Sequence, residues 1–364
     1  MLRLSSLGRM VLVTGAAAML AAACGGNGSG SASPSPVDVG SGSLVGAGAT
    51  FPGPFYQKAF TDYSAKYPQV TVNYQPVGSG AGIKQFQAKT VDFGASDVPM
   101  GSADITTAGG PDALTQIPTT LGVVSIAFNI SGVNSLNLDG PTLANIYLKH
   151  ITNWNDPALA TLNSGTTLPN KAITVVHRSD GSGTTFHFTD YLSKVSDEWK
   201  TKVGNAKSVS WPTGVGGSGN QAVAQAVQST DGSIGYVELA YVVQTGMKQA
   251  SLKNANGKFV QASVDGAKAA AATNTSVGPT NFSITNAACD ACYPISGFSW
   301  VILYTNYSDS AKGKAVVYLF KWLVTSGQSD GSDLQYAPLP SAVQQLALTN
   351  LKLIKANGTT VLSS

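Results

Sequence analysis

From Ser43 onward, short apolar runs alternate with segments whose apolar residues recur every three to four positions. Val70 to Pro76, VTVNYQP, predicts a strand, and Phe55, Ala59 and Tyr63 fall at i, i+4 and i+8 on one face of a helix. Pro52 and Pro54 suit the first turn of that helix, where a missing N–H costs nothing. Val91 to Asp97, VDFGASD, predicts a brief buried strand. Two long apolar runs, Thr120–Ile130 and Ile295–Tyr304, predict long strands that could cross between domains. Further helices are expected at 83–89, 141–148, 185–194, 220–227, 312–325 and 340–351, and further strands at 173–176 and 233–237. This alternation predicts an α/β fold with a largely parallel sheet in each domain and helices on both faces. Ligands of such sheets bind beyond the carboxyl ends of the strands.

The first residues break the pattern. Arg3 and Arg9 precede the apolar stretch Met10–Ala23, which ends in three alanines and Cys24. A basic start, a short apolar core and small residues before a cysteine predict a secretory signal at 1–23 and a lipidated cysteine at Cys24, although Leu20 sits one place further from Cys24 than a lipobox prefers. An ordinary signal with an incidental cysteine is the alternative. The Gly/Ser/Pro-rich residues that follow predict a flexible tether over 24–43.

The chain has 364 residues, enough for two domains, and its charges are sparse and nearly balanced, with a formal net charge of +3. No basic run suggests nucleic acid. The remaining cysteines, Cys289 and Cys292, have no histidine near them to complete a zinc site, and in an exported protein a small structural disulfide is expected. No metal or cofactor is expected.

The candidate chemistry gathers at helix starts. Ala172–Leu192 runs from a β-branched stretch into Arg178 and Asp180, then into Gly181-Ser182-Gly183-Thr184 and a helix. A helix N-terminus beside an arginine favours an anion. Thr50 before Phe51, and Ser79 in GSGAG, stand in comparable settings; each alone could be an ordinary cap. Asp180, two residues beyond Arg178, could orient it or form an unremarkable surface pair. Asp97 is the odd member, because a carboxylate repels an anion unless that anion brings a proton to donate. Hydrogen phosphate does so and sulfate does not. A structural role for Asp97 remains open on residue types alone. A Ser182–His187–Asp180 triad is disfavoured, since His187 lies a turn into the helix and no nucleophile elbow is present.

GAGATFPGPFY, VGSGAGIKQF, VDFGASD, HRSDGSGTTF, FTDYLSKV and GSIGYVELAY, in that order, closely resemble the periplasmic phosphate-binding proteins of bacterial phosphate ABC transporters. The resemblance runs from about Leu44 to Leu351. It implies a two-domain periplasmic-binding-protein type II fold joined by two crossover strands, with domain I at 44–124 and 297–364 and domain II at 125–296. It implies a non-enzymatic, monomeric lipoprotein, held at the cell membrane by an acyl chain such as palmitate and facing the periplasm or exterior. Such a protein delivers inorganic phosphate to permease subunits. The implied contacts are Thr50, Phe51 through its main chain, Ser79, Asp97, Arg178, Ser182, Gly183 and Thr184, with Asp180 orienting Arg178. Ala81, His177 and the Cys289–Cys292 loop depart from the family pattern. The rival readings are a binder of another oxyanion such as sulfate or molybdate, a secreted phosphate-ester hydrolase, and an adhesion or sensing lipoprotein.

Overall fold

The computed structural model describes residues 37–362. The expected signal segment, Cys24 and most of the tether lie outside the described residues. The folded body begins before Ser43, where the tether was expected to end. Val39 is buried, Ser41 donates its N–H to the Ala311 carbonyl, and Asp38 pairs with Lys314.

Eight strands form the main path of one sheet. They are β1 (Gly42–Gly48), β2 (Val70–Gln75), β3 (Phe93–Ser96), β4 (Leu114–Asn129), β5 (Thr174–Arg178), β6 (Val215–Gly217), β7 (Ser233–Glu238) and β8 (Ser296–Tyr304). Their order is β2-β1-β3-β8-β4-β7-β5-β6, and a short strand, Lys248–Gln249, also pairs with β4. β1 runs parallel to β2 and β3, and β5 runs parallel to β6 and β7. The pairings through the middle are antiparallel: β8 with β3 and β4, and β4 with β7. The sheet is therefore mixed where it joins its two parallel ends.

Strand β4 belongs to both lobes of this two-domain fold. Leu114–Val123 pairs with β8, while Val124–Asn129 pairs with β7. It starts six residues earlier than its apolar run suggests. The added segment carries Thr115, Gln116 and Thr119, which are polar yet buried, and Pro118, which argues against a strand. The structure accommodates Pro118 at a bulge. Ser299 pairs with Thr120 and Trp300 with Pro118, leaving Thr119 as the extra residue.

Helices flank both ends of the sheet: α1 (Gly53–Lys66), α2 (Ser79–Gln87), α3 (Gly140–Tyr147), α4 (Gly183–Val195), α5 (Gly219–Ser229), α6 (Leu239–Gln244), α7 (Ser310–Leu323) and α8 (Ser341–Leu351). The face of α1 that carries Phe55, Ala59 and Tyr63 is buried, as its spacing predicts. Helix α2 begins four residues before Ile83, the start its apolar pattern suggests. Its first turn is Ser-Gly-Ala-Gly, where glycine weakens the helical signal, and Gly78 at φ +96° turns the chain into it. Cys289 and Cys292 are joined in a disulfide with Cα atoms 5.2 Å apart. The Asn254 amide ties that loop down by donating to the carbonyls of Cys289, Asp290 and Cys292. No described helix is long and apolar enough to cross a membrane.

Candidate functional site

The parallel arrangement sets several strand ends side by side, and the predicted residues stand just beyond them. Thr50 and Phe51 lie between β1 and α1. Ser79 opens α2 after β2, and Asp97 follows β3. From the second lobe, Arg178 ends β5, Ser182 caps α4, and Gly183 and Thr184 form its first turn. Thr50, Ser79, Asp97, Arg178, Ser182 and Thr184 are all buried despite being polar or charged.

Arg178 is fixed before anything else touches it. Its Nε donates to Asp180 Oδ1 at 2.7 Å and its Nη2 to Asp180 Oδ2 at 2.5 Å, a fork-on-carboxylate pair that adds geometric definition. Nη1 reaches Thr184 Oγ1 at 3.3 Å. The guanidinium has further N–H groups to give. Asp180 also accepts from the Gly219 N–H. Burial alone would raise its carboxyl, but Arg178 and that N–H outweigh burial and hold it below the usual carboxylate range. Asp180 and Arg178 thus form a two-pronged pair away from the surface, with the Arg178 side chain only 1% exposed.

Asp97 is the opposite case. Burial pushes its carboxyl up to about 7, and the hydroxyl of Ser299, the charge of Arg178 and the hydroxyl of Ser79 only partly pull it back. Ser299 Oγ donates to Oδ1 at 2.7 Å. Ser299 sits at the β4–β8 bulge, and such irregularities re-aim side chains.

The lobes meet directly at this cluster. The Gly183 N–H donates to Ser79 Oγ at 3.1 Å, and the Gly80 N–H to the Gly181 carbonyl at 2.8 Å. A Cβ on Gly183 would run into Asp97, so only glycine permits the approach. Tyr241, from α6, donates to the Thr50 carbonyl at 2.7 Å. The Phe51 ring packs between Gly122 and His187, and its carbonyl accepts from Tyr336. What Phe51 can turn toward the cluster is therefore main chain.

Two members were missed from the sequence. Asn220, at the start of α5, donates through Nδ2 to Thr50 Oγ1 at 2.9 Å and to Thr184 Oγ1 at 3.1 Å. A polar residue directly after the glycine-rich loop 214–219 is the same signal that marked Ser79 and Thr184. Ser299 carries no such signal, because it lies within an apolar strand. Of the departures from the family pattern, His177 stacks on Trp211, with ring centroids 4.7 Å apart, and Ala81 lies in the first turn of α2.

The triad does not form. Ser182 Oγ accepts from the Thr185 N–H as a helix cap. His187 is fully buried, and neither ring nitrogen has a hydrogen-bond partner among the described residues. Burial lowers its imidazole to about 4.

A family model for a PBP superfamily domain matches residues 33–320. The phosphate-binding protein PstS of Xylella fastidiosa strain 9a5c is 46% identical over 302 residues, covering 82% of this chain and 81% of that protein. PstS of Pasteurella multocida is 46% identical over 83% of this chain and 88% of that protein. The chain belongs to this family. PstS3 of Mycobacterium bovis is 33% identical and spans 97% of this chain and 100% of its own length. Among solved structures, a phosphate-binding protein from Stenotrophomonas maltophilia superposes with a TM-score of 0.66 at 21% identity, over 85% of this chain and 94% of that one. A putative phosphate transporter substrate-binding protein from Clostridium perfringens, solved with bound phosphate, gives 0.61 at 17% identity, over 82% and 100%. At those identities the structural likeness supports the two-lobed fold alone.

Proposed function

We propose that this protein binds inorganic phosphate between its lobes and hands it to an ABC importer, with no chemical step of its own. The observation that carries this reading is the pairing of a buried, pre-oriented Arg178 with a buried carboxyl, Asp97, across one polar cluster. Arg178 and the start of α4 supply positive potential for an anion. Asp97 offers the only carboxylate acceptor in the proposed set of contacts, so the anion that suits it is one carrying a proton.

In this reading Thr50, Ser79, Ser182 and Thr184 donate from their hydroxyls, and Phe51 donates from its main chain. Gly183 exchanges its N–H partner, Ser79, for the ligand. Sulfate would leave two acceptors opposed at an ionised Asp97, and sites built around a hydrogen bond reject analogues that lack it by roughly 10⁴ to 10⁵. Titration calorimetry on the purified chain tests this. Tight 1:1 binding of phosphate with weak sulfate competition at pH 8 is expected; equal competition would remove the role given to Asp97.

The delivery role extends to the chain's ends and surfaces. Processing after residue 23 and acylation at Cys24 would hold the protein at the outer face of the membrane, where a monomer docks on permease subunits. Cys24→Ala should release it from membranes; continued retention would refute the anchor.

A further inference from the structure

The hydroxyls of the cluster share one property: each already accepts a hydrogen bond from the protein. Thr50 Oγ1 accepts from Asn220 twice, from the side-chain Nδ2 at 2.9 Å and from the main-chain N–H at 3.3 Å. Thr184 Oγ1 accepts from Asn220 Nδ2 and from Arg178 Nη1. Ser182 Oγ accepts from the Thr185 N–H, and Ser79 Oγ from the N–H groups of Gly183 and Asp97, while the Ser79 proton is directed at Asp97 Oδ2, 3.5 Å away, until a ligand takes it. A hydroxyl has two acceptor sites and one proton. Once its oxygen is occupied by donors, the proton is what it has left to offer.

Among these donors Asn220 is the one that reaches two hydroxyls at once, one from each lobe. It is buried, and its own orientation is fixed by the Glu238 N–H, which donates to Oδ1 at 3.1 Å and so leaves Nδ2 pointing at the two threonines. We propose that Asn220 is a positioning residue that sets the hydrogen-bond polarity of the phosphate site. By donating to Thr50 and Thr184, it forces both to act as donors, and so selects the less protonated form of the ligand. This inference rests on the phosphate reading above and adds the device by which the site prefers acceptor-rich oxygens.

Two variants separate polarity from support. Asn220→Ala frees one acceptor site on each hydroxyl, leaving Thr50 the main-chain N–H of residue 220 and Thr184 the Nη1 of Arg178. Asn220→Asp keeps an oxygen for the Glu238 N–H but turns the donor into an acceptor, which would take the threonine protons for itself. Phosphate affinity is measured by calorimetry at pH 8 and pH 5, always as a ratio to the parent protein. The ionisable and charged neighbours Asp97, Arg178, Asp180, Glu238 and Tyr241 are common to all three proteins. Asn220→Ala should weaken phosphate binding about 10- to 100-fold at pH 8, the scale of one or two hydrogen bonds. The loss should shrink at pH 5, where the ligand carries a further proton and can donate. Asn220→Asp should lose more than Asn220→Ala at pH 8. A loss equal at both pH values would make Asn220 a structural support only and overturn the proposal. So would an Asn220→Asp protein that binds as the parent does. A parent protein that binds no phosphate would overturn the functional reading, and this inference would fall with it.

Discussion

The two halves of the site are built in different ways. In the second lobe the proposed ligand contacts all come from Arg178 to Thr184: a strand end, a turn and a helix start, with Arg178 pinned by a carboxylate two residues on. In the first lobe, Thr50, Ser79 and Asp97 arrive from three strand ends, and Asp97 is held by Ser299 from a strand about two hundred residues later. The charge is placed by local structure and the proton acceptor by long-range packing. A locally braced group can keep its geometry whatever the other lobe does. An acceptor held by distant strands depends on the whole sheet being in register.

The sharpest way to break the comparison is at the locally built charge. Arg178→Ala removes a buried charge and strands Asp180, and the cost for a buried charged pair losing one member is typically 2–5 kcal/mol. Phosphate affinity by calorimetry should fall at least about 10²-fold, more than for loss of any single hydroxyl. A smaller loss than that of Ser79→Ala would place the anion's main contact in the first lobe.

Asp97→Asn acts on the other half, and its effects on binding and stability should be opposite. The folded protein holds a proton on Asp97 up to about pH 7, while the unfolded chain releases it near the ordinary value of 3.8. Folded chains therefore bind more protons in that window, and Asp97 makes stability fall as pH rises from about 4 to 7. Removing the charge should raise the melting temperature of the ligand-free protein at pH 8, with a ceiling of roughly 4 kcal/mol, and change little near pH 4. Phosphate affinity should drop in the same variant. An unchanged melting temperature at pH 8 would mean that burial does not penalise this carboxylate.

The same titration bears on selectivity in the unmodified protein. Below about pH 6 a protonated Asp97 can donate to sulfate, so sulfate competition should strengthen as pH falls from 8 to 5. Flat selectivity across that range would separate the acceptor role from the carboxyl's titration.

Gly183→Ala tests the contact between the halves. Its Cβ would meet Asp97, so phosphate affinity should drop about tenfold or more through forced separation of the lobes, with a smaller change in melting temperature. The smallest effect is expected far from both halves. Replacing Cys289 and Cys292 by serine should lower the melting temperature by a few degrees and leave phosphate affinity within about twofold. A larger change in affinity would connect that loop to the site.

This contrast also explains what the sequence made legible. Arg178, Asp180, Ser182 and Thr184 are adjacent in the chain, so strand and helix signals place them together without any tertiary knowledge. Thr50 and Ser79 are recognisable because each sits among glycines at a helix start. Asn220 obeys the same grammar, with Ser218 and Gly219 before it, but it brings an amide where the other helix starts bring a hydroxyl. Ser299 and the strand start at Leu114 could not be read locally. Buried polar residues and Pro118 look like loop, and only the β4–β8 pairing makes them strand. His187 misleads in the reverse direction, since its packing against Phe51 and Gly297 isolates it from Ser182.

Strand β4 carries a further consequence. Its sixteen residues pass from one lobe to the other without leaving the sheet, and the Val124 N–H still bonds to the Ile295 carbonyl at the changeover. A joint made of paired strands has no slack. Any swing of one lobe against the other must twist this ribbon rather than unfold a loop, so the joint behaves as a torsion spring. Amide hydrogens of 121–126 should then exchange with deuterium as slowly as those of the core, with phosphate or without it, while the glycine-rich turns at 78–82 and 181–183 respond to the ligand.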